Sequence, residues 1–536
     1  MTMKIKTKYF LTYFSLIFFL FTFLQAKNTF LSYRLTIDHP EKHLAKIQIE
    51  VPIFNQDTLT LAMPAWSPGR YVIYNFAKNV FDVQVKTEND QTIRPILIDK
   101  QTWKIPTQKA KQINISYQLF ANTLDGTFSK IDSVGASING ASVFAYIAEM
   151  KNQPLQLTIH VPESWQTVCA LNPQNNGLFN ARSYDELIDS PIELGPTLHK
   201  HHFQVLGKDH HLIFHQPVDG KLLYHFQQDL EKIITYFASL FGDSLPYDNY
   251  TFFFHLNKNL QHTDGMEHAA NCRVLLRMDL NQIMPDANAD ADYDNLIWLS
   301  AHEFFHTWNV KRLRPVGLGP FDYSKEVYTP SLWIAEGWTS YYAYLALLRT
   351  GIYTEEKFLS EIAGRITRYE NSPGKQYRTL AETSILTWLF KGGVPHYAET
   401  NIDQTTYSYY YKGLIVAFLL DVLLRAEGQP PSSLDALLKE MWRRFYRQNQ
   451  GNYFLPGRGY TEQEIEQMIN SKLPKNRVKF LQNVVHSTKA LPYEIVERLG
   501  LKLKKDVNRF RLVKQENHPP KAQKLWQQFK LNEIEN

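Results

Sequence analysis

The stretch AHEFFHTWNVKRLRP occupies residues 301–315, and the rest of the chain is organised around it. Within it, His302, Glu303 and His306 form an H-E-x-x-H motif. An α-helix has about 3.6 residues per turn, so positions i and i+4 lie on one face and both imidazoles can reach one zinc ion. Glu303 lies beside them, where it can act on a water molecule. The alternative is a helix whose histidines only pack or cap.

A second stretch, SLWIAEGWTSYY at residues 331–342, supplies a carboxylate for the same site. It has the pattern of an apolar and aromatic helix with Glu336 in its first turns. A catalytic zinc ion takes three protein ligands and keeps one position open, and two histidines with one carboxylate satisfy that number. A lone carboxylate on such an aromatic face would be costly to bury. We therefore predict that Glu336 is the third ligand of one zinc ion per chain.

Composition places the protein among globular, multidomain chains. It has 536 residues, of which 44% are hydrophobic and 21% charged, with a net charge of +5. The charges are dispersed, without a long Lys/Arg block or a nucleic-acid-binding motif, so we expect no nucleic-acid partner. Cys169 and Cys272 are the only cysteines, which excludes a disulfide framework and favours two buried thiols.

The N-terminus has the pattern of a secretory signal peptide over residues 1–26. Lys4, Lys6 and Lys8 supply positive charge, residues 9–24 form an almost unbroken apolar run, and Ala26 offers a small residue for cleavage. This predicts a protein of the periplasm or cell envelope. If the segment were not cleaved, it would act as a membrane anchor. The sequence leaves the oligomeric state open.

The sequence predicts a multidomain α+β fold. Residues 27–215 contain short alternating runs separated by Pro, Gly, Asn and Asp, which predicts a β-sandwich or a saddle-like sheet. Residues 216–350, with helical periodicity around buried strands, form the predicted catalytic domain. Residues 351–490 are predicted to be mainly helical, and residues 491–536 to form one short strand and a loose tail.

Two further segments hold candidate site residues. In the segment HTDGMEHAANC, residues 262–272, Gly265 permits a close approach of the backbone and Glu267 precedes a predicted strand. Glu267 could face a cleft or pair with a surface lysine, and the residues alone leave both interpretations open. Tyr410 and Tyr411 begin a predicted helix, where they could equally be core aromatics.

The two metal-binding stretches together resemble the glycyl aminopeptidase family of gluzincin metallopeptidases. MPAWSPGRY at residues 63–71, GMEH at residues 265–268 and YYYKGLIVAFLLDVLLR at residues 409–425 extend the resemblance over most of residues 30–500. It implies an N-terminal β domain, a thermolysin-like catalytic domain, a helical domain and commonly a C-terminal PDZ domain. After Gly500 too few residues remain for a PDZ domain of roughly 80–100 residues, so we expect that module to be missing or reduced to a remnant.

The resemblance also implies roles for individual residues. It makes His302, His306 and Glu336 the zinc ligands and Glu303 the general base. Glu267, in a substrate-binding segment with Gly265, would hold the free α-ammonium of a peptide. The hydroxyl of Tyr410 would steady the tetrahedral intermediate, and Tyr411 would take that role if the register were shifted by one.

These observations favour a zinc aminopeptidase that releases small first residues, glycine or alanine, from peptide substrates. A zinc endopeptidase is the alternative if Glu267 does not face the zinc cleft. A non-catalytic peptide-binding protein of the cell envelope, with a purely structural zinc, is the alternative outside the enzymes. It would require the water site to be closed, which an intact Glu303 argues against.

Overall fold

The computed structural model describes residues 30–531, with the exception of residues 53–55, 175–176, 281–282, 284–289, 391–401, 431, 449–453 and 518. The predicted signal segment, residues 1–26, lies outside the described residues. Within the described part of the chain, no helix is both long and apolar enough to cross a membrane.

The N-terminal part is a β domain made of three sheets. The largest has eight strands, in the order Asn172–Pro173, Leu178–Ala181, Leu155–His160, Leu31–Thr36, Leu44–Pro52, Gln112–Phe120, Val80–Thr87 and Thr92–Ile93. The second contains Gln166–Cys169, Ile192–Gly195, Gly135–Ile138 and Lys130–Asp132. The third contains Tyr146–Ile147, Thr58–Ala62, Thr102–Pro106 and Ile96–Asp99. The α-helix Tyr184–Ile188 also belongs to this domain.

Period-two burial explains why these segments form strands. In Gln112–Phe120 the side chains of Ile113, Ile115, Tyr117 and Leu119 are buried, and the residues between them are more exposed. Alternate residues of a strand point to opposite faces, so one face of the sheet joins the core. The predicted β-rich N-terminal domain is confirmed.

The following five-stranded sheet, here called the catalytic sheet, has the order His199–Val205, Lys208–Phe214, Asn249–Leu256, Asn271–Leu276 and Asp264–Glu267. Its last strand, Asp264–Glu267, is at the sheet edge and is called the edge strand. Three helices are named for the residues they carry: the motif helix Ala291–Phe305, the glutamate helix Trp333–Arg349, and the tyrosine helix Tyr409–Glu427.

The other α-helices of this region surround these elements. They are Gly220–Leu240, Glu355–Glu370, Leu380–Ile385, Thr387–Phe390, Ile402–Thr405, Leu434–Met441, Glu462–Lys472, Phe480–Val484 and Pro520–Leu531, with a π-helix at Trp442–Arg447. A hairpin of Leu501–Asp506 and Arg509–Lys514 forms the last sheet. Thr461 and Glu464 form a capping box at the start of Glu462–Lys472.

Two predicted boundaries differ from the structure. The hairpin of residues 199–214 pairs with Asn249–Leu256, so the catalytic unit begins near residue 199 rather than at residue 216. The predicted loose tail, residues 491–536, instead carries the hairpin and the helix Pro520–Leu531, whose Phe529 is fully buried. The aromatic side chains of that helix pack on the helical region, and this burial orders a segment that is polar on average.

The domains exchange aromatic residues at their boundary. Tyr71, from the β domain, is buried in the core of the catalytic and helical regions. Tyr323, from the chain after the motif helix, is buried in the core of the β domain, where its hydroxyl donates to Asp185 over 2.6 Å. Each domain therefore contributes an aromatic side chain to the core of the other.

Candidate active site

The motif helix begins with a strong cap. The Asp290 carboxylate accepts hydrogen bonds from the backbone N–H groups of Asp292 and Tyr293 over 2.9 and 3.1 Å. The helix therefore begins at Ala291 and ends at Phe305.

Glu336 reaches the motif helix from a π-helical turn, Trp333–Trp338, at the start of the glutamate helix. Such turns are frequent at functional sites, because the wide turn displaces a side chain from regular helical positions. The side chain of Asn309 holds this turn in place. Its Nδ2 donates to the carbonyl oxygen of Ile334 over 2.9 Å and to Oγ1 of Thr339 over 3.0 Å.

The three predicted ligands meet at one point. The Nε2 atoms of His302 and His306 are 3.1 Å apart, and Oε2 of Glu336 lies 3.5 Å and 3.4 Å from them. Ligand atoms of a tetrahedral zinc ion with bonds of about 2.0–2.1 Å are roughly 3.3–3.4 Å apart, so the spacing fits one ion. The imidazole planes are inclined by 86°, which lets their in-plane lone pairs point to a common centre.

The surroundings of the ligands fit a metal as well. His306 Nδ1 donates to the carbonyl oxygen of Asn309 over 2.7 Å, which leaves the lone pair on Nε2 for a ligand bond. Burial alone would raise the pKa of Glu336, but His306 and His302 outweigh it and hold that pKa well below its usual value. Glu336 is therefore an ionised ligand.

A second group of potential ligands, Glu193, His215 and His255, lies where the β domain meets the catalytic sheet. Its two rings are stacked, with centroids 4.2 Å and planes 23° apart. Lone pairs of imidazole lie in the ring plane, so stacked rings cannot both point at one ion without turning. Nη2 of Arg273 also lies 2.9 Å from Glu193 and compensates its charge. This group is an interdomain ion-pair network.

Glu303 faces the same cleft from the motif helix. Burial, together with the negative charges of Glu267 and Glu336, raises the pKa of Glu303 well above its usual value, although His306 opposes the shift. Its Oε2 is buried and accepts no hydrogen bond from any residue that the structure describes. A carboxylate that holds a proton readily and has an unused oxygen is suited to moving a proton.

The edge strand places Gly265 and Glu267 against Glu303. A Cβ atom added at Gly265 would lie 1.9 Å from Oε1 of Glu303, so only glycine fits this approach. Carboxylate oxygens of Glu267 and Glu303 and a nitrogen of His306 lie within 4.8 Å of one another. The sequence left open whether Glu267 faces a cleft or pairs with a surface lysine. The structure places it in the cleft.

The β domain closes the far side of Glu267. Gly69 has a φ of +82°, and a Cβ atom there would lie 2.8 Å from both carboxylate oxygens of Glu267. Trp66 and Pro68 from the same loop line a cavity of only about 20 Å³ beside that carboxylate. The rings of Trp66 and Trp388 meet edge to face with centroids 5.3 Å apart, which makes this wall rigid.

Tyr410 and Tyr411 point in different directions. The Tyr410 ring stacks near His302, with centroids 6.3 Å apart, and burial followed by the charge of Glu336 raises the pKa of its hydroxyl. The Tyr411 hydroxyl instead accepts from Nη1 of Arg368 over 3.1 Å, away from the ligands. These orientations favour Tyr410 over Tyr411 as the tyrosine of the candidate site.

Two glycines that sequence reasoning did not assign to the site bring Tyr410 there. A Cβ atom at Gly337 would lie 2.6 Å from the backbone of Gly413, so the glutamate and tyrosine helices cross in backbone contact. The sequence feature that could have identified these two residues is a glycine inside each of two otherwise apolar helices. Arg70 and Gly126, which contact the edge strand, and Asp264, its first residue, were also missed.

Comparison with known proteins gives consistent matches. The sequence model described as "Peptidase M61 N-terminal domain" matches residues 32–196, and the model described as "M61 glycyl aminopeptidase" matches residues 295–416. No curated protein matches the chain.

Solved structures match over most of the chain. A crystal structure described as an aminopeptidase N family protein from Idiomarina loihiensis has a TM-score of 0.79 and 26% identity, over 89% of this chain and 79% of that one. An M1 zinc metallopeptidase from Deinococcus radiodurans has a TM-score of 0.52 and 13% identity, over 86% and 94% of the two chains, and shares the fold.

Proposed function

The chain belongs to the M61 glycyl aminopeptidase family, and from that premise we propose that it is a zinc-dependent aminopeptidase that releases a small first residue, glycine or alanine, from peptides. The protein is a metallopeptidase. The finer assignment is supported above all by the position of Glu267, whose carboxylate lies beside Glu303 at the closed end of the cleft.

Glu267 would pair with the free α-ammonium group of the substrate. An ammonium paired with this carboxylate would lie at the end of the cleft that Trp66, Pro68 and Gly69 close, which supports removal of the first residue rather than internal cleavage. The cavity of about 20 Å³ holds about one water molecule, which supports a small first side chain.

His302, His306 and Glu336 would hold one zinc ion. When bound, the ion would polarise the scissile carbonyl and activate a water molecule. Glu303 would take a proton from that water on its carboxylate and deliver it to the leaving amine. Tyr410 keeps its hydroxyl proton because its pKa is raised, and it would donate a hydrogen bond to the carbonyl oxygen as negative charge develops there.

The experiment compares hydrolysis of glycine and alanine anilides with hydrolysis of their N-acetylated forms, with and without a zinc chelator. We expect chelator-sensitive cleavage of the free-amine substrates alone. Glu267→Gln should lower kcat/KM for them by ~10–100-fold, because a charged hydrogen bond to the substrate is weakened. Equal cleavage of acetylated substrates would instead establish an endopeptidase, and zinc binding without cleavage would establish a non-catalytic peptide-binding protein.

We also propose that the protein acts outside the cytosol, in the periplasm or cell envelope. This rests on the signal-like pattern of residues 1–26. Fractionation of cells that express the full chain, with N-terminal sequencing of the product, would test it. A cleaved protein in the envelope fraction is expected, whereas an intact protein in the cytosol would contradict the proposal.

A further inference from the structure

Two loops of the β domain hold the edge strand of the catalytic sheet. Nη2 of Arg70 lies 2.6 Å from Oδ2 of Asp264 and donates to the carbonyl oxygen of Gly265 over 3.0 Å. The backbone N–H of Gly126 donates to the same Asp264 oxygen over 2.9 Å. A Cβ atom at Gly126 would lie 2.2 Å from Nη2 of Arg70, so these groups are in close contact. The guanidinium is therefore fixed beside the strand.

The edge strand also gives the direction in which a substrate would lie. On the proposed function, the free amine is at Glu267, and Glu303, which acts at the scissile bond, contacts Gly265. Residues of a strand are about 3.3 Å apart along its axis, so moving from Glu267 to Gly265 follows the substrate from its amine to the scissile bond. The leaving part of the peptide then continues towards Asp264 and Arg70.

Arg70 has hydrogen-bonding capacity left at that position. Both of its hydrogen bonds to the described residues use Nη2, and since the unpaired Nε is buried, Nη1 is the group that remains available to a ligand. The side chain is 17% exposed, so part of it is not covered by other residues. A guanidinium carries five N–H donors in a rigid fork, and a carbonyl oxygen is a matching acceptor.

We propose that Arg70 binds the first backbone carbonyl of the leaving peptide, so that the β domain contributes a substrate-binding residue to the peptidase. Asp264 and the N–H group of Gly126 are positioning groups that hold the guanidinium. This inference rests on the proposed function. It makes cleavage depend on whether the leaving group contains a peptide carbonyl.

The test compares glycine anilide, whose leaving group has no peptide carbonyl, with triglycine, whose leaving group has one. Arg70→Ala should lower kcat/KM for triglycine by ~10–100-fold, the range expected for a hydrogen bond to a charged group, and change that for the anilide by less than about threefold. Arg70→Lys preserves a cation beside Asp264 but lacks the fork, and should show the same dependence on substrate with an unchanged unfolding midpoint.

Arg34→Ala is the matched control, because Arg34 is an exposed arginine of the same domain. It should leave both substrates unaffected. An equal loss on both substrates in Arg70→Lys would overturn the inference and assign Arg70 to bracing the fold, and an unchanged triglycine rate in Arg70→Ala would also overturn it. Failure of the proposed function is distinguishable, since it would show as cleavage of N-acetylated peptides by the wild-type protein.

Discussion

The structure distinguishes clearly between the two tyrosines, Tyr410 and Tyr411, that could donate a hydrogen bond to the oxyanion. Tyr410 lies near His302, whereas Tyr411 is held by Arg368. We predict that Tyr410→Phe lowers kcat for glycine anilide by ~100-fold with little change in KM, because its hydrogen bond is made mainly in the transition state. Tyr411→Phe should stay within about threefold of the wild type. The opposite ranking in steady-state kinetics would move the role to Tyr411.

The metal site gives a second prediction about residues. Glu303→Gln should retain about one zinc ion per chain in elemental analysis and lose peptidase activity, because Glu303 lies beside the three ligand atoms without belonging to them. His302→Ala should lose the zinc, since it removes one of three ligands.

His255→Ala is the matched control for that measurement. It removes a buried histidine from the stacked network of Glu193 and His215, which does not fit an ion in its present geometry. Its zinc content should remain at the wild-type level. A fall in zinc content would show that the stacked rings turn to bind a second ion, contrary to a single site per chain.

At the scale of elements, the sequence was informative wherever a local pattern decides the structure. The helical periodicity expected after residue 216 is observed in Gly220–Leu240, and the helix predicted to begin with Tyr410 and Tyr411 is observed at Tyr409–Glu427. Caps and apolar periodicity are local, so they can be read without tertiary information. The π-turn that carries Glu336 has no such signal, because it depends on contacts with Asn309.

The average polarity of the C-terminal segment did not predict that the segment is ordered. The segment is polar overall, but its Phe529 side chain is buried. Three other residues of the segment contact the carboxylate of Glu355. The carboxylate of Glu355 accepts a hydrogen bond from Nε1 of Trp526 over 3.0 Å and pairs with Lys514 and Lys530. Since these partners lie more than 150 residues along the chain, their pairing could not be predicted from spacing.

The contacts of Glu355 with the C-terminal segment predict how the stability of the protein depends on pH. Burial alone would raise the pKa of Glu355, but hydrogen bonds from Lys514, Lys530 and Trp526 lower it from 4.5 to about 2. A carboxyl whose pKa is lowered by folding stabilises the fold above its unfolded pKa and loses that contribution as pH falls through its folded pKa. Glu355→Gln should therefore cost about 1 kcal/mol of unfolding free energy at neutral pH.

The difference between wild type and Glu355→Gln should shrink as the pH falls from about 4.5 towards 2. Denaturant unfolding at several pH values measures it. Glu356→Gln, an exposed neighbour in the same first helical turn, is the matched control and should show no comparable loss. A loss that did not depend on pH would show that the ionised carboxylate is not what secures the C-terminal helix.

At the scale of the whole molecule, the active site belongs to two domains. The sequence predicted His302, Glu303 and His306 because a helical spacing places them together, and it predicted Glu336 because a lone carboxylate on an aromatic helix face completes the number of zinc ligands. It could not predict that Gly69 and Arg70 from the β domain contact Glu267 and Asp264, since such contacts join residues about 200 positions apart and leave no periodic trace. Only the fold shows that the β domain closes one end of the cleft.

A buried ion pair couples this domain arrangement to stability. Asp189 of the β domain lies 2.6 Å from Nζ of Lys311, and its other oxygen accepts from the backbone N–H of Ala269, two residues after Glu267. Burial alone would raise the pKa of Asp189, but Lys311 and His268 outweigh it and lower the pKa. The carboxylate is therefore ionised at neutral pH and fixes the chain on both sides of the site.

Asp189→Asn should lower the unfolding free energy by about 3–5 kcal/mol, because the Lys311 ammonium would remain buried without its counter-charge. The double variant Asp189→Asn/Lys311→Met should recover part of that loss, since it removes the uncompensated charge as well. Asp90→Asn, in the exposed pair with Lys86, is the matched control and should cost less than about 1 kcal/mol. Denaturant unfolding of the four proteins measures these differences. If Asp189→Asn were as mild as the control, water would have to reach Lys311, and this ion pair would contribute little to the stability of the domain arrangement.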